Sequence, residues 1–380
     1  MTGKPLAFPG LSVLFVLLSF LTFLPQSTSA QTPNLKSRIA LPVDETSLVT
    51  LKGNTHPYAR AEFDQGAAAT SLPLHRMLLV LKRSQEQEAT LDSLLDEQQD
   101  ASSPNYHKWL TPEQFGAQFG PSQQDVQIIT AWLQSHGFVV TGVSKGGILI
   151  EFSGSASQVQ TAFHTSIHTY AMAGKTYYAN SQDPQIPTAL SSVVAGVRSL
   201  HNFPARALNH SAGTFRRDPE TGAIQHVGAL PIPQFTPGTG FTCGIIGGPC
   251  ELLGPYDIAT IYNVNPLWTA STPVDGTGQT IAISGETDIN PQDWTAFWAM
   301  FGVATPKGKL NIIVNGPDPG FQGDESEADI DTQWSSAIAK GATIDYVESE
   351  STETTLGVDL SAEYIVDNNL APVMSSSYAL

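Results

Sequence analysis

The sequence predicts an α/β protein made of two folded units and a long connector. Three observations carry this. Residues 75–200 alternate short apolar runs with stretches of helical spacing. Residues 206–254 are rich in Gly, Pro, Thr and Ser, with HVGALPIPQFTPGTG at their centre, which is the composition of a linker. From residue 255 the alternation resumes with almost continuously apolar strands, as expected of a parallel sheet covered on both faces by helices. At 380 residues the chain is long enough to bury two cores.

The elements follow in order. Lys4 precedes an apolar run of 14 residues, Leu11–Leu24, too short for a comfortable membrane span. Pro25 breaks it and Thr28-Ser29-Ala30 ends in small residues, so residues 1–30 read as a secretory signal cleaved after Ala30. The expected location is therefore extracellular, with no membrane attachment once the signal is removed. Residues 31–70 are a polar lead-in. HRMLLVLKR (His75–Arg83) reads as a strand and QEQEATLDSLLDEQQD as a helix with Leu91, Leu94 and Leu95 on one side. Thr111-Pro112-Glu113 is a helix start, with Thr as cap and Pro at the first position. Phe115 and Phe119 are partners one turn apart. Ser122 opens a further helix through Val126, Ile129, Trp132 and Leu133, ended by Gly137. FVVTGV and GILIEFSG are strands, and ASQVQTAFHTSIHTYAMAGKTYYAN supplies a helix and a hairpin. His164 and His168 fall at a helix end and in a strand, a poor arrangement for a metal. Past the linker, GPYDIATIYNV is a helix, DGTGQTIAISGE a turn and buried strand, INPQDWTAFWAMFG a helix with Pro in its first turn, and KLNIIVNG a strand.

Charge narrows the function. The net charge is −17, and residues 251–380 alone hold 19 acidic residues against 3 Lys. A nucleic-acid partner needs Lys and Arg to neutralise phosphate, so none is expected. Self-repulsion of this kind relaxes as carboxylates protonate, which fits either an acidic working environment or plain solubility. The two cysteines, Cys243 and Cys250, flank a Gly/Pro-rich turn. In an exported protein they suggest a disulfide, with free thiols as the alternative.

The densest feature is GDESEADIDTQW, with Asp324, Glu325, Glu327, Asp329 and Asp331 in eight residues. Asp324 followed by Glu327 resembles a capping box for a helix over 325–340 with Ile330, Trp334, Ala337 and Ile338 as its apolar line. Acidic groups in a first turn also complement the helix dipole. Glu325 and Asp329 share a face, continued by Thr332, Gln333 and Ser336, which could line a cleft. Paired carboxylates shift one another's pKa and so can serve as base and orienter. A calcium loop fits less well, because the stretch reads as helix.

YHKWLTPEQFGAQFGPSQQDVQIITAWLQSHGF resembles the activation propeptide of kumamolisin-type peptidases, the sedolisin family of serine-carboxyl peptidases, and AFHTSIHTYAMAGKTYYANSQDPQIPTALSSVVAGVRSLHNF resembles its second half. PYDIATIYNV, GDESEADIDTQWSSAIAKGATIDYVES and VMSSSYA resemble the start of the peptidase domain, the helix bearing its Glu-x-x-x-Asp pair, and a following Ser-x-Ser strand. The resemblance implies a signal (1–30), a lead-in (31–70), an α/β-sandwich propeptide with an antiparallel, ferredoxin-like sheet (71–205), a linker (206–254) and the first part of a subtilisin-like parallel α/β domain (255–380). It makes Glu325 the catalytic base and Asp329 its partner, with Glu327/Asp331 as a rival register. It implies an acid-acting serine-type endopeptidase with polypeptide substrates, whose own propeptide acts as inhibitor and folding chaperone.

Departures accompany the match. No Gly-Thr-Ser nucleophile segment and no Gly-Asp-Ser-Gly-like oxyanion stretch is present, and Ala379 stands where the family has Gly. This chain is thus expected to be an N-terminal fragment, itself inactive. No cofactor is expected within it; a Ca²⁺ site is expected in the downstream part by resemblance. Arg216-Arg217 is a possible processing site. The alternative is a non-catalytic inhibitor or chaperone with a vestigial second domain. A two-carboxylate glycosidase is disfavoured, because an i,i+4 pair is not a facing arrangement.

Overall fold

The computed structural model describes residue 3 and residues 35–198, 200–204, 206–207, 214–217, 220–221, 224–227, 254–301 and 308–379. All but one of these belong to a single unit, Asn34–Leu380. The expected signal and the Cys243/Cys250 pair lie outside the described residues. No helix among the described residues is long and apolar enough to cross a membrane.

The first domain runs β1 (Leu48–Thr50), β2 (Asp64–Ala67), β3 (Pro73–Leu81), α1 (Gln85–Gln99), α2 (Pro112–Phe119), α3 (Gln123–Ser135), β4 (Val139–Val143), β5 (Leu149–Ser155), α4 (Ala156–Phe163), β6 (Ile167–Met172), β7 (Lys175–Asn180), β8 (Gln185–Pro187) and β9 (Val194–Val197). Its main sheet is antiparallel in the order β4-β5-β3-β9. Leu79, Leu81, Ile150 and Phe152 on that sheet bury against Ile129, Trp132 and Leu133 of α3 and Val159 and Phe163 of α4. This β-α-β-β-α-β arrangement is the expected antiparallel sandwich. The caps behave as their residue types dictate: Thr111 and Ser155 form capping boxes with Gln114 and Gln158, and the Ser122 side chain accepts from the Asp125 amide at 3.1 Å. The lead-in does more than connect. Ile39 and Leu51 join the core, and buried Asp125 accepts from the Ser37 hydroxyl at 2.6 Å and the Ile39 amide at 2.9 Å.

The connector contributes β10 (Arg206–Ala207), β11 (Thr214–Arg217) and β12 (Ile224–Val227). β11 and β12 form a hairpin, so Arg216-Arg217 lies in a paired strand.

The second domain comprises α5 (Pro255–Ile261), α6 (Asn265–Trp268), β13 (Thr280–Gly285), α7 (Pro291–Met300), β14 (Leu310–Val314), α8 (Glu325–Ile338), β15 (Thr343–Glu348), α9 (Gly357–Asp367), β16 (Val373–Ser375) and β17 (Tyr378–Ala379). The expected parallel sheet is present, in the order β14-β15-β13-β16. It is not uniformly covered: β14 and β16 are its edges, and Ile312, Val314, Val373 and Met374 are exposed. α7 and α8 pack together on one face, where Ile283, Ile344 and Tyr346 meet Ala328. α9 covers the other, against Ala282 and Val347. The crossovers through α7 and α9 run in opposite directions on opposite faces and therefore share a hand. The β14-α8-β15 crossover runs back on the α7 face and has the opposite hand, a rarity among parallel connections. The acidic helix is the element placed by that unusual connection.

The two domains meet through α9 and the loop before it. Arg198 pairs with Asp359, the Lys145 amide donates to Asp367 at 3.0 Å, and Thr355 donates to the Arg76 carbonyl at 2.8 Å. A cleft of about 680 Å³ beside these contacts is lined by Leu78, Val80, Phe115, Ile148, Glu363 and Met374.

Candidate active site

α8 begins at Glu325, after a turn in which Gly323 has φ +92°, a left-handed value that favours glycine. Its cap departs from the sequence expectation. Asp324 makes no side-chain capping bond; the Glu327 amide donates to the Asp324 carbonyl at 2.9 Å instead. The Asp324 carboxylate accepts from the Tyr378 hydroxyl at 2.9 Å, so a tertiary partner has taken the group the helix end would have used.

The buried side of α8 also differs from the expected apolar line. Ile330 is exposed, while Glu327, Ala328, Thr332, Ser336 and Ala337 are buried. Thr332 and Ser336 line no cleft. Two tryptophans of α7 cover them: Trp294 and Trp298 both donate their indole N–H to the Ser336 hydroxyl, at 2.9 and 3.2 Å, and Trp294 also reaches the Thr332 carbonyl at 3.3 Å. Large aromatic rings on α7 need small residues opposite them, and Thr, Ser and Ala meet that need while satisfying the indole donors.

At the open end of this contact stand Glu325 and Asp329. The structure adds a third carboxylate, Asp293 in the first turn of α7; one oxygen from each of the three lies within 4.8 Å of the others. Asp329 is half-buried, and its Oδ1 is enclosed with no hydrogen-bond partner among the described residues. Burial, then the neighbouring charges of Asp293 and Glu325, push its pKa up to about 7. At acidic and near-neutral pH it is therefore a proton donor set beside Glu325. Such a trio could also hold a cation, but Asp293 is exposed and no described side chain backs it. Sequence reasoning missed Asp293, because an acidic residue in a first turn looks like dipole complementation.

The rival pair faces elsewhere. Glu327 is buried, and Asp331 accepts from the Ser377 hydroxyl at 2.8 Å. Burial raises the Asp331 pKa, helped by Glu327 and opposed by the Ser377 bond. Asp324 and Asp331 thus hold the Ser377–Tyr378 segment, while Glu325 and Asp329 look toward α7.

Comparison with known proteins meets this geometry. Residues 63–203 match the family described as Pro-kumamolisin, activation domain. Residues 63–203 thus carry this activation domain, and most of the chain is similar to sedolisin-type peptidases. It is 26% identical to xanthomonalisin of Xanthomonas sp. (strain T-22) over 323 residues, covering 82% of this chain and 36% of that protein. It is 26% identical to sedolisin of Pseudomonas sp. (strain 101) over 306 residues, 79% of this chain and 47% of that one. Tripeptidyl-peptidase sed1 of Aspergillus fumigatus matches at 23% over 228 residues, 58% of this chain and 34% of its own length. The chain therefore spans a third to a half of the curated relatives it matches. The activation domain occupies the antiparallel sandwich, and the carboxylate helix lies in the parallel domain that follows.

Proposed function

We propose that this chain is the N-terminal part of a secreted, acid-acting serine-type endopeptidase precursor, with Glu325 as general base and Asp329 as its partner. One observation carries the reading: Glu325 and Asp329 share a face of α8, and Asp329, at about 7, keeps its proton where an ordinary carboxyl group has lost it. In this reading a protonated Asp329 orients Glu325, whose carboxylate lies within 4.8 Å of it. Glu325 then accepts the proton of a serine hydroxyl as that oxygen attacks the peptide carbonyl, and returns it to the leaving amine. A carboxylate base has a reference pKa near 4.3, against about 6.5 for histidine, so the site works under acid. This reading requires a serine and an oxyanion-stabilising group from outside these 380 residues.

The activation domain then serves as intramolecular inhibitor and folding chaperone. It is seated against α9 through Arg198–Asp359 and Lys145–Asp367. The same contacts support the second reading, in which the chain acts only as an inhibitory or chaperone module. The deciding experiment is Glu325→Ala in the full-length precursor. Self-processing and peptide hydrolysis should be lost while the precursor still folds; normal maturation would discard the base assignment, whereas an unmodified precursor that neither processes itself nor hydrolyses peptides would favour the second reading.

A further inference from the structure

Strand β3 of the activation domain breaks its own alternation. Leu74, Met77, Leu79 and Leu81 all belong to the core, so the inward spacing is three residues at first and two thereafter. A strand keeps a period of two, and a β-bulge takes up the extra residue. Leu74 pairs with Gly154 and Met77 with Phe152, which leaves His75 and Arg76 together opposite Ser153. Arg76 sits at φ +51°, a left-handed conformation that is costly for a residue with a Cβ. The Ser153 side chain supports it, accepting from the Arg76 amide at 3.0 Å. The guanidinium is drawn to Glu151, with Nε and Nη2 donating to Oε2 at 3.2 and 3.1 Å.

The two carbonyls of this bulge meet the turn between β15 and α9, and each takes a threonine hydroxyl. Thr352 donates to the His75 carbonyl at 3.0 Å, and Thr355, fully enclosed, donates to the Arg76 carbonyl at 2.8 Å. The turn is tight in itself. The Thr352 hydroxyl accepts from the Thr355 amide at 3.0 Å, and the Thr352 amide donates to the Thr355 carbonyl at 2.8 Å. Ser351 extends the connection. Its hydroxyl donates to Glu286, just past β13, at 2.8 Å and accepts at 2.7 Å from the amide of Gly357, which opens α9.

We propose that the His75–Arg76 bulge is the latch by which the activation domain recognises the domain that follows, and that its partner is a Thr-x-x-Thr turn, here Thr352–Thr355. Successive carbonyls of a regular strand point to opposite edges, so an unbulged β3 could not offer both to one turn. The left-handed Arg76 brings them to the same side. The other bridges between the domains, Arg198–Asp359, Lys145–Asp367 and His75–Glu353, end on carboxylates and are screened by salt. The two threonine bonds carry no charge. By holding the turn, the bulge also fixes Ser351, and with it the tie between the end of β13 and the start of α9. The activation domain thereby shapes the rim at the carboxyl ends of the parallel strands. This deepens the reading of that domain as inhibitor and folding chaperone and rests on it for its consequence, although the contact itself requires no catalysis.

The test is amide hydrogen exchange of the 380-residue chain, read at Thr354, Thr355 and Gly357, whose amides are held by the closed turn. Thr355→Val keeps the shape and loses the donor, so exchange there should be at least about tenfold faster than in wild type. Thr355→Ser keeps the hydroxyl and should keep the protection. Arg76→Gly retains the left-handed bulge and should also stay protected, whereas Arg76→Val, β-branched and strained at positive φ, should exchange as fast as Thr355→Val. If Arg76→Val fails to fold, the contrast between Thr355→Val and Thr355→Ser carries the result. Wild-type protection in Thr355→Val would overturn the latch. Equal loss in Arg76→Gly and Arg76→Val would overturn it too, because the guanidinium pair with Glu151 would then be what holds the turn. Fast exchange in Thr355→Val together with normal maturation of the Glu325→Ala precursor would keep the latch and discard only the catalytic assignment.

Discussion

Arg198, just past the last strand of the activation-domain sheet, grips Asp359 in the first turn of α9 with two hydrogen bonds, Nε to Oδ2 at 3.0 Å and Nη2 to Oδ1 at 2.8 Å. A planar guanidinium presents two parallel donors to one carboxylate, which lysine cannot do. The pair bridges the domains and fixes their register. Arg198→Lys should therefore loosen the contact almost as much as Arg198→Ala. Because Arg198 is 46% exposed, solvent screening limits the loss to about 1 kcal/mol. Limited proteolysis between the domains, compared at low and high salt, reads this out; equal resistance of all three proteins would show the pair to be incidental.

Asp329 gives a pH prediction with a definite sign. Its folded pKa, about 7, lies above the unfolded reference near 3.9. The folded state thus holds a proton the unfolded state has released, and stability declines as pH rises from about 4 to about 7. Asp329→Asn removes that decline. The variant should match wild type at pH 3.5 and exceed it at pH 8 by on the order of 1–2 kcal/mol after screening. Thermal unfolding across that range decides it, and parallel curves would refute the shift.

His201 works in the opposite direction. It is 7% exposed, and burial, then His56 and Arg198, lower its pKa to about 3. The unfolded chain takes up a proton near pH 6.5 that the folded chain refuses, so this group's stabilisation is full above 6.5 and is lost as pH falls toward 3. Its ring lies 4.3 Å from His56 in an aromatic cluster with Phe203. His201→Phe should flatten the acid-side loss of stability, measured by urea unfolding at pH 4 and pH 7. An unchanged acid slope would remove His201 from the account.

Ser336 serves two indoles at once. Ser336→Ala leaves the Trp298 N–H unpartnered and Trp294 with only its 3.3 Å bond to the Thr332 carbonyl. A buried donor left without a partner costs about 1–3 kcal/mol. The loss should appear in urea unfolding together with a shift in tryptophan emission. A neutral result would mean that water reaches the indoles.

Gly357 opens α9 where a Cβ would collide with the Ser349 carbonyl and press on Glu286. The obstruction is backbone, which cannot swing aside as a side chain can. Gly357→Ala should displace the start of α9 and cost more than about 3 kcal/mol, comparable to severe overpacking. Wild-type stability in this variant would place the α9 N-terminus elsewhere.

Much of this was legible in the sequence, and the reasons are local. Thr111-Pro112 and Ser122 set helix starts because caps are chemistry within one turn. The i,i+4 spacing put Glu325 and Asp329 on one face of α8. The apolar runs of β13 and β14 announced parallel strands, although β14 is a partly exposed edge, and the propeptide motif announced the antiparallel sandwich. What failed were inferences about neighbours. Asp324 was read as a cap, but Tyr378, 54 residues away, holds it. Thr332 and Ser336 were read as a cleft, but α7 covers them. Asp293 gave no signal, since a lone acidic residue at a helix start looks solvated until a second element brings partners to it. By itself the sequence determined the main elements, the caps at Thr111 and Ser122 and the carboxylate spacing, because these depend on contacts within a few residues. The tertiary structure alone decided which carboxylates meet, which lose water and which gain partners, because burial and charge proximity follow from the reversed crossover of α8 and the packing of α7 upon it.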